Sequence, residues 1–158
     1  MDIITSEVKF NMSIKSDNIE QCLVLIKPDG VKNKNIGRVI SRIEDKRLKI
    51  EAMKMIWLDQ KLAEKHYFEH KDKEFFPRLL EYITDSPVIA LVVSGPNSIK
   101  LMRNLAGNTK PLKAKPGTIR GDFATDIELG NVVHCSDSQQ NAIREIKLFF
   151  SVEEIYSY

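Results

Sequence analysis

The stretch of this sequence most suited to chemistry is residues 131–137, which read NVVHCSD. It places His134 at the end of a short apolar run, directly before a group of polar residues. Neutral imidazole attacks phosphorus well near neutral pH and needs no separate base to activate it. The helical segment that follows carries Glu145, whose carboxylate can accept the proton of one ring nitrogen and leave the other free to attack. The pattern predicts a nucleophilic histidine; the alternative is a strand-end histidine paired with the backbone.

Two upstream segments carry glycine, proline and positive charge in close succession. Residues 27–31 read KPDGV, and residues 115–123 read KPGTIRGDF. The longer stretch 106–122 has three glycines, two prolines and little apolar periodicity. Because it lies inside the domain and contains several lysines and an arginine, we expect a functional loop rather than a linker. Positive groups suit phosphoryl transfer, which concentrates negative charge on oxygens.

These three segments, in this order, resemble the nucleoside diphosphate kinase family, and the resemblance runs from about Cys22 to Tyr156. It implies a ping-pong enzyme in which a nucleoside triphosphate, mainly ATP, gives its γ-phosphoryl group to His134. A nucleoside diphosphate then takes the group from the phosphohistidine, which yields nucleoside and deoxynucleoside triphosphates. One slot would serve both half-reactions, because donor and acceptor present the same groups.

The resemblance also assigns roles to individual side chains. Glu145 would orient the histidine ring, Ser136 would complete its inner shell, and Tyr67 would lie close to it. The residues expected to act in catalysis are His134, Glu145, Ser136, Lys27 and Tyr67. Those expected to bind nucleotide are Lys27, Phe75, Leu79, Arg103, Thr109, Arg120 and Asn131. Within the second group, Arg103, Thr109 and Arg120 would contact phosphates.

The base and the sugar have their own implied contacts. Phe75 resembles the aromatic residue that stacks on the base, with Leu79 lining the same slot, and the alternative is that Phe75 belongs to the core. Stacking accepts any base, so broad base tolerance is expected. Asn131 resembles the residue that binds a sugar hydroxyl, and the alternative is a turn asparagine after Gly130. Since strand residues three apart face opposite ways, Asn131 and His134 require an irregular backbone near Gly130.

Two histidines could be mistaken for a zinc pair. His66 and His70 stand four apart on a predicted helix, but the residue after the first is Tyr67 rather than the glutamate of a zinc-protease helix. No third ligand at a suitable spacing is evident, so a zinc site is not predicted. Mg²⁺ is implied instead, carried by the nucleotide, because it prefers phosphate oxygens and water to an all-protein cage. Asp137 would contact it through water.

The sequence departs from the family pattern at a few positions. The run before Asn131 is about one residue longer than in many members and lacks their arginine, so Ile127 and Leu129 are alternatives for covering the second face of the base. Cys135 replaces the usual glycine after the histidine, and would narrow the pocket or sensitise it to oxidation. Pro111 matches a proline that holds the loop and subunit contacts.

The order of apolar segments predicts the elements that carry these residues. Strands are expected at 22–26, 48–58, 88–93 and 131–134, with helices between and after them at 36–43, 60–70, 75–84, 98–105 and 139–150. This order predicts an α+β, ferredoxin-like βαββαβ fold, in which helices pack on an antiparallel four-stranded sheet. We expect an N-terminal extension at 1–20 and one domain at 21–158.

Composition narrows the class of protein. The chain has 158 residues, 29% of them charged, and a net charge of only +2 without a basic stripe, which argues against an obligatory nucleic-acid partner. Two cysteines suggest reduced thiols in the cytoplasm. No apolar run approaches the roughly 20 residues that span a bilayer, and no secretory signal is evident.

The resemblance implies a homo-oligomer, with a hexamer favoured and a tetramer possible. One rival is a regulatory or nucleic-acid-binding module that keeps the fold without turnover, but the expected histidine, lysine and arginines are present. Another is a sheet-type RNA-binding domain, which needs exposed aromatic residues on its central strands, whereas residues 23–26 are aliphatic.

Overall fold

The chain folds around a four-stranded antiparallel sheet. The structure is a computed structural model that describes residues 19–126 and 130–158. Within them the strands are β1 (Ile19–Ile26), β2 (Lys49–Ile56), β3 (Val88–Pro96) and β4 (Val133–Cys135). Their spatial order is β2-β3-β1-β4, and every neighbouring pair is antiparallel. This is the order of a ferredoxin-like βαββαβ fold, so the predicted fold class is confirmed.

Helices cover both faces of this sheet. In the described ranges they are α1 (Pro28–Lys32), α2 (Ile36–Asp45), α3 (Gln60–His66), α4 (Phe76–Thr84), α5 (Ser98–Ala106), α6 (Ile119–Phe123) and α7 (Gln139–Phe149). Helices α2 and α5 pack on the face that carries Cys22, Val24 and Ile26. Helices α3, α4 and α7 pack on the face that carries Leu23 and Leu25. This two-sided burial explains why β1 and β3 are continuous apolar runs. Of the helices described, none has the length and apolar character to cross a bilayer.

Strands β1 and β3 are longer than predicted, and they are longer at the same end of the sheet. Strand β1 begins at Ile19 rather than Cys22, and β3 ends at Pro96 rather than Val93. The added residues pair with each other, with Ile19 opposite Pro96. Each addition is too polar to be recognised alone and forms because the other is present. The rest of the predicted N-terminal extension, residues 1–18, lies outside the described residues.

Two short helices lie where no helix was predicted. Helix α1 occupies the glycine- and proline-containing segment after Lys27, with Pro28 at its first position, where the missing N–H costs nothing. Helix α6 lies in the predicted loop 106–122, and the Thr118 side chain caps it by accepting a hydrogen bond from the Gly121 backbone at 3.0 Å. Both are five residues long, which is too short for periodicity to reveal.

The backbone before β4 makes a strained turn, as the spacing of Asn131 and His134 required. Val132 has φ 69°, a left-handed conformation that is rare for a β-branched residue. The Asp29 carboxylate accepts hydrogen bonds from the Val132 backbone N–H, at 2.9 Å, and from the Tyr82 hydroxyl. The Lys27 backbone N–H donates to the Val132 carbonyl at 2.8 Å. Residues distant in sequence therefore hold the turn in place.

Candidate active site

His134 lies in the middle of β4, directly opposite Leu25 of β1. Its side chain is 23% exposed, and its Nε2 lies 3.2 Å from Glu145 Oε2 on helix α7. The contact is within ion-pair distance but lacks the alignment of a hydrogen bond. Because Nε2 faces the carboxylate, Nδ1 is the ring nitrogen left for attack.

Ser136 fixes the carboxylate that faces the histidine. Its hydroxyl donates to Glu145 Oε2 at 2.6 Å and accepts from the Leu23 backbone N–H at 3.0 Å. Ser136 is completely buried, so it acts behind the histidine and does not line the cavity. On the other side, Arg144 Nη2 lies 3.7 Å from Glu145 Oε1. Glu145 is thus held in place by Ser136, which is itself bonded to the backbone of β1 at Leu23.

Two rings at the end of helix α3, those of His66 and Tyr67, pack beside His134. Tyr67 is buried with its ring centroid 6.4 Å from that of His134, and burial raises the pKa of its hydroxyl, so the group stays protonated. His66 lies closer, at 4.6 Å and nearly perpendicular. Burial, with a smaller contribution from His134, holds the pKa of His66 well below its usual range. Apart from its position next to Tyr67, nothing in the sequence indicates that His66 lies here.

Lys27 and Asn131 form a polar pair at the cavity wall. Lys27 Nζ donates to the Asn131 side-chain oxygen at 2.7 Å, and it lies over the Tyr82 ring, 5.2 Å from the centroid. Burial lowers the pKa of Lys27 to about 8. The Asn131 amide donates in turn to the Thr109 carbonyl at 3.0 Å. Asn131 is therefore more than a turn residue, because its side chain links Lys27, which follows β1, to Thr109 in the long loop.

Arg120, on α6, is bound to the backbone around the cavity. Its three nitrogens donate to the carbonyls of Asn131 (3.2 Å), Gly107 (2.8 Å) and Val133 (2.7 Å). A guanidinium has five N–H groups, so two remain to bind a ligand. Burial lowers the pKa of Arg120, but an arginine stays charged in proteins. Arg103 extends from α5 to the same cavity.

The adjacent residues Phe75 and Phe76, at the start of α4, point in different directions. Phe75 is 50% exposed and lines the cavity with Leu79, so the alternative that Phe75 belongs to the core is wrong. Phe76 is half-buried and packs against the core on the α4 face of the sheet. The ring of His70 lies 5.5 Å from that of Phe75, which makes a second aromatic surface at the same wall.

One cavity of about 870 Å³ gathers nearly all the predicted residues. Its volume lies within the range of small-molecule sites. Every predicted catalytic or nucleotide-binding residue lines it except the buried Ser136. Asp137 lines it too, and a hydrogen bond from the Asn141 amide, at 2.8 Å, lowers the pKa of its carboxyl. The cavity is thus lined by three imidazoles, of which His134 and His70 are partly exposed, by several cations and by the exposed Phe75 ring.

Sequence and structure comparisons agree with this arrangement. The family profile described as nucleoside diphosphate kinase matches residues 20–155. The chain belongs to the nucleoside diphosphate kinase family. The predicted family and its phosphotransferase activity are thereby confirmed.

Similar proteins cover most of the chain. A nucleoside diphosphate kinase of Pyrococcus furiosus is 54% identical over 144 residues, which are 90% of this chain and 89% of that protein. The structure of the Borrelia burgdorferi nucleoside-diphosphate kinase, a transition-state mimic with bound vanadate and ADP, has a TM-score of 0.84 at 38% identity and covers 90% of this chain and 94% of that one. The Halobacterium salinarum enzyme in complex with CDP has a TM-score of 0.85 at 41% identity, covering 88% and 92%.

Two departures from the family pattern have different outcomes. Ile127 and Leu129, the alternatives for covering the base, lie outside the described residues. Cys135 lines the cavity, and burial raises the pKa of its thiol to about 11. Since the thiolate is the form that oxidises readily, this burial opposes the predicted sensitivity to oxidation.

Proposed function

We propose that His134 is the phosphoryl acceptor in a ping-pong transfer from nucleoside triphosphate, mainly ATP, to nucleoside diphosphate. The observation that supports this best is the placement of the ring, with Nε2 against a buried carboxylate and the other edge at a cavity wall. Lys27, Arg103 and Arg120 line the same cavity, where the transferred oxygens would lie. Fixed cations of this kind stabilise the charge that develops in the transition state.

In the first half-reaction, the lone pair of His134 Nδ1 attacks the γ-phosphorus of the triphosphate. An N–P bond forms while the bond from phosphorus to the bridging oxygen breaks, and the nucleoside diphosphate leaves with that electron pair. The Nε2 proton stays on the ring, where Glu145 offsets the positive charge that the ring acquires. Ser136 keeps the carboxylate in place. The second half-reaction reverses these steps with another diphosphate.

The nucleotide would lie between Phe75 and the positive end of the cavity. The exposed Phe75 ring offers a stacking surface that does not discriminate between bases, and Leu79 lies beside it. The Lys27–Asn131 pair would meet the sugar, with Asn131 bonding its hydroxyl. Thr109, Arg103 and Arg120 would bind the phosphates. Tyr67, protonated and buried, would support the His134 ring from the side.

Mg²⁺ fits this site as a companion of the nucleotide. Asp137 presents a carboxylate whose pKa is lowered, so it is ionised at neutral pH and suits a water-mediated contact to a dication. The other groups proposed for the phosphates are cationic or neutral, so the phosphates themselves would supply most of the oxygen ligands. When bound, Mg²⁺ neutralises phosphate charge and favours departure of the diphosphate.

The surface of the chain favours self-association. Strand β2 is an edge of the sheet, and it exposes Met53 (56%), Met55 (58%) and nearby Trp57 (63%). Tyr156 and Tyr158 bond to the backbone of this edge at Glu51 and Ile50, so the apolar patch lies on the rest of the edge. An exposed apolar patch of this kind is typical of an interface. We propose a homo-oligomer, a hexamer rather than a tetramer, that works in the cytoplasm. The catalytic domain, predicted as 21–158, would begin two residues earlier with β1 at Ile19, and the predicted extension 1–20 would shorten to 1–18.

Labelling of the protein tests the proposed mechanism. Incubation with γ-labelled ATP and Mg²⁺, without acceptor, is expected to leave an acid-labile, base-stable phosphate on the wild type. The label should transfer to added diphosphate. His134→Gln should take up no label while still binding nucleotide, and His70→Gln is the matched histidine control and should be labelled. An acid-stable label, or labelling of His134→Gln, contradicts the role of His134.

A further inference from the structure

His66 is a buried imidazole whose polar atoms lack partners. It is 3% exposed, and the described part of the chain offers neither ring nitrogen a hydrogen-bond partner. Leaving a buried polar group unpaired costs roughly 1–3 kcal/mol, so such a group calls for a water molecule or an ion.

Two other ligand atoms lie next to this ring. One donor atom each from His66, His134 and Glu145 come within 4.8 Å of one another. Ligands at 2.0–2.1 Å in a tetrahedral zinc site are about 3.4 Å apart. The separation of His134 Nε2 from Glu145 Oε2 is 3.2 Å, so this pair already has the required spacing. His66 would need to approach by no more than about 1.5 Å.

We propose that His66, His134 and Glu145 bind one transition-metal ion of the zinc class in the nucleotide-free protein, and that the bound ion inhibits phosphoryl transfer. Two imidazoles and one carboxylate form a set that binds zinc in catalytic sites, with a fourth position left for water. Imidazole ligands favour Zn²⁺ over Mg²⁺, so this site is distinct in chemistry from that of nucleotide-borne Mg²⁺.

Inhibition follows from the atom to which the ion would bind, which is His134 Nε2. Coordination at His134 Nε2 takes the place of the contact with Glu145 and withdraws electron density from the ring, which weakens the nucleophile. This second half of the proposal rests on the proposed role of His134, whereas binding of the ion does not.

The surrounding charges make the site exchangeable rather than structural. Glu145 supplies the one negative charge among the three ligands, and Arg144 lies 3.7 Å from it. Lys27 and Arg144 also act on His66 electrostatically. These cations lower the affinity for a dication, so the ion is expected to come and go with its free concentration. The ligand set differs from the His66–His70 pair considered from the sequence, because His70 does not belong to it.

Histidine-ring NMR during a zinc titration tests the binding directly, since the chain has only three histidines. In nucleotide-free wild type, the nitrogen signals of His66 and His134 should shift and saturate together at one ion per chain, while those of His70 stay in place. Calorimetry gives the affinity. Co²⁺ in place of zinc should give a tetrahedral absorption spectrum.

Matched variants assign the ligands. His66→Phe keeps a ring beside Phe149, 5.3 Å away in the native protein, but removes both ligand atoms. It should weaken zinc binding about tenfold or more, and His66→Asn serves if the larger ring packs poorly. His70→Gln should bind zinc as the wild type does. Absence of zinc binding to wild type, or undiminished binding by both His66 variants, overturns the site.

The inhibition is measured as the initial rate of phosphoenzyme formation at fixed excess Mg²⁺. Added zinc should slow the wild type and His70→Gln by a larger factor than the His66 variants, which also control for zinc taken up by ATP. Equal slowing of all four proteins overturns inhibition through this site. Zinc-free wild type that forms no phosphoenzyme refutes the proposed function instead, and the binding result is judged separately.

Discussion

Burial of Lys27 changes the pH at which its side chain loses its charge. The pH dependence of enzyme activity should show this change. Burial lowers its pKa to about 8, so the cation present at neutral pH is lost as pH rises through about 8, well below the usual range of lysine. If Lys27 must be charged to hold phosphate, kcat/KM should fall above that pH. The arginine of Lys27→Arg stays charged over this pH range. The kcat/KM of that variant should therefore not fall above about pH 8, even if its kcat/KM is lower at every pH. A profile identical to wild type removes Lys27 as the group that titrates.

Arg120 combines binding with structure, so its substitution should show both effects. Arg120→Ala removes three hydrogen bonds to backbone carbonyls as well as the cavity cation. Loss of a transition-state contact of this kind costs roughly 2–4 kcal/mol, seen as a fall in kcat/KM. The thermal midpoint should fall as well, because buried carbonyls lose their donors. Lys61→Ala, which removes an exposed cation from α3, is the control and should change neither quantity. Unchanged kcat/KM in Arg120→Ala excludes it from the site.

At the scale of elements, the strained turn between Gly130 and β4 positions Asn131 and His134, the residues proposed to bind the sugar and to accept the phosphoryl group. Gly130 has φ 95°, and a Cβ there would overlap the Asp29 carboxyl and the Tyr82 hydroxyl. Gly130→Ala should therefore destabilise the protein and displace Asn131 and His134 together. Urea unfolding and kcat/KM measure the two effects.

The control for this substitution is another glycine. Gly37, in α2, has no atom within 4 Å of an added Cβ, so Gly37→Ala should stabilise the protein by about 0.5–1 kcal/mol through its helix preference. If Gly130→Ala behaves like Gly37→Ala, the turn does not constrain the site.

Short elements are also where the sequence predicted least. The aliphatic runs of β1 and β3 were recognisable because both faces of each strand are buried, and the amphipathic α2, α4 and α7 because they bury one stripe. Helices α1 and α6 depend on contacts between distant residues, such as Arg42 with Asp122 at 2.5 Å, and periodicity cannot show these. The residues that line the cavity were predicted through family resemblance, because these residue types occur along the sequence in the same order as in the family motifs. His66 was missed because only the folded chain brings α3 beside β4.

At the scale of the whole molecule, the exposed methionines of β2 should control assembly. Met53→Lys combined with Met55→Lys places two charges on the apolar surface of β2, and it should reduce the mass measured by light scattering. Val152, 84% exposed outside the sheet, provides the matched control as Val152→Lys. An unchanged mass for the double variant excludes β2 as an interface.

His134, the proposed phosphoryl acceptor, lies opposite a residue of β1, a strand that is covered on every side. Strand β1 has neighbours on both sides and helices over both faces, so its amides should be among the last to exchange with deuterium. Ser136 is bonded to that backbone at Leu23. On heating, loss of activity should therefore coincide with cooperative melting instead of preceding it, because His134 pairs with β1 and Ser136 is bonded to it.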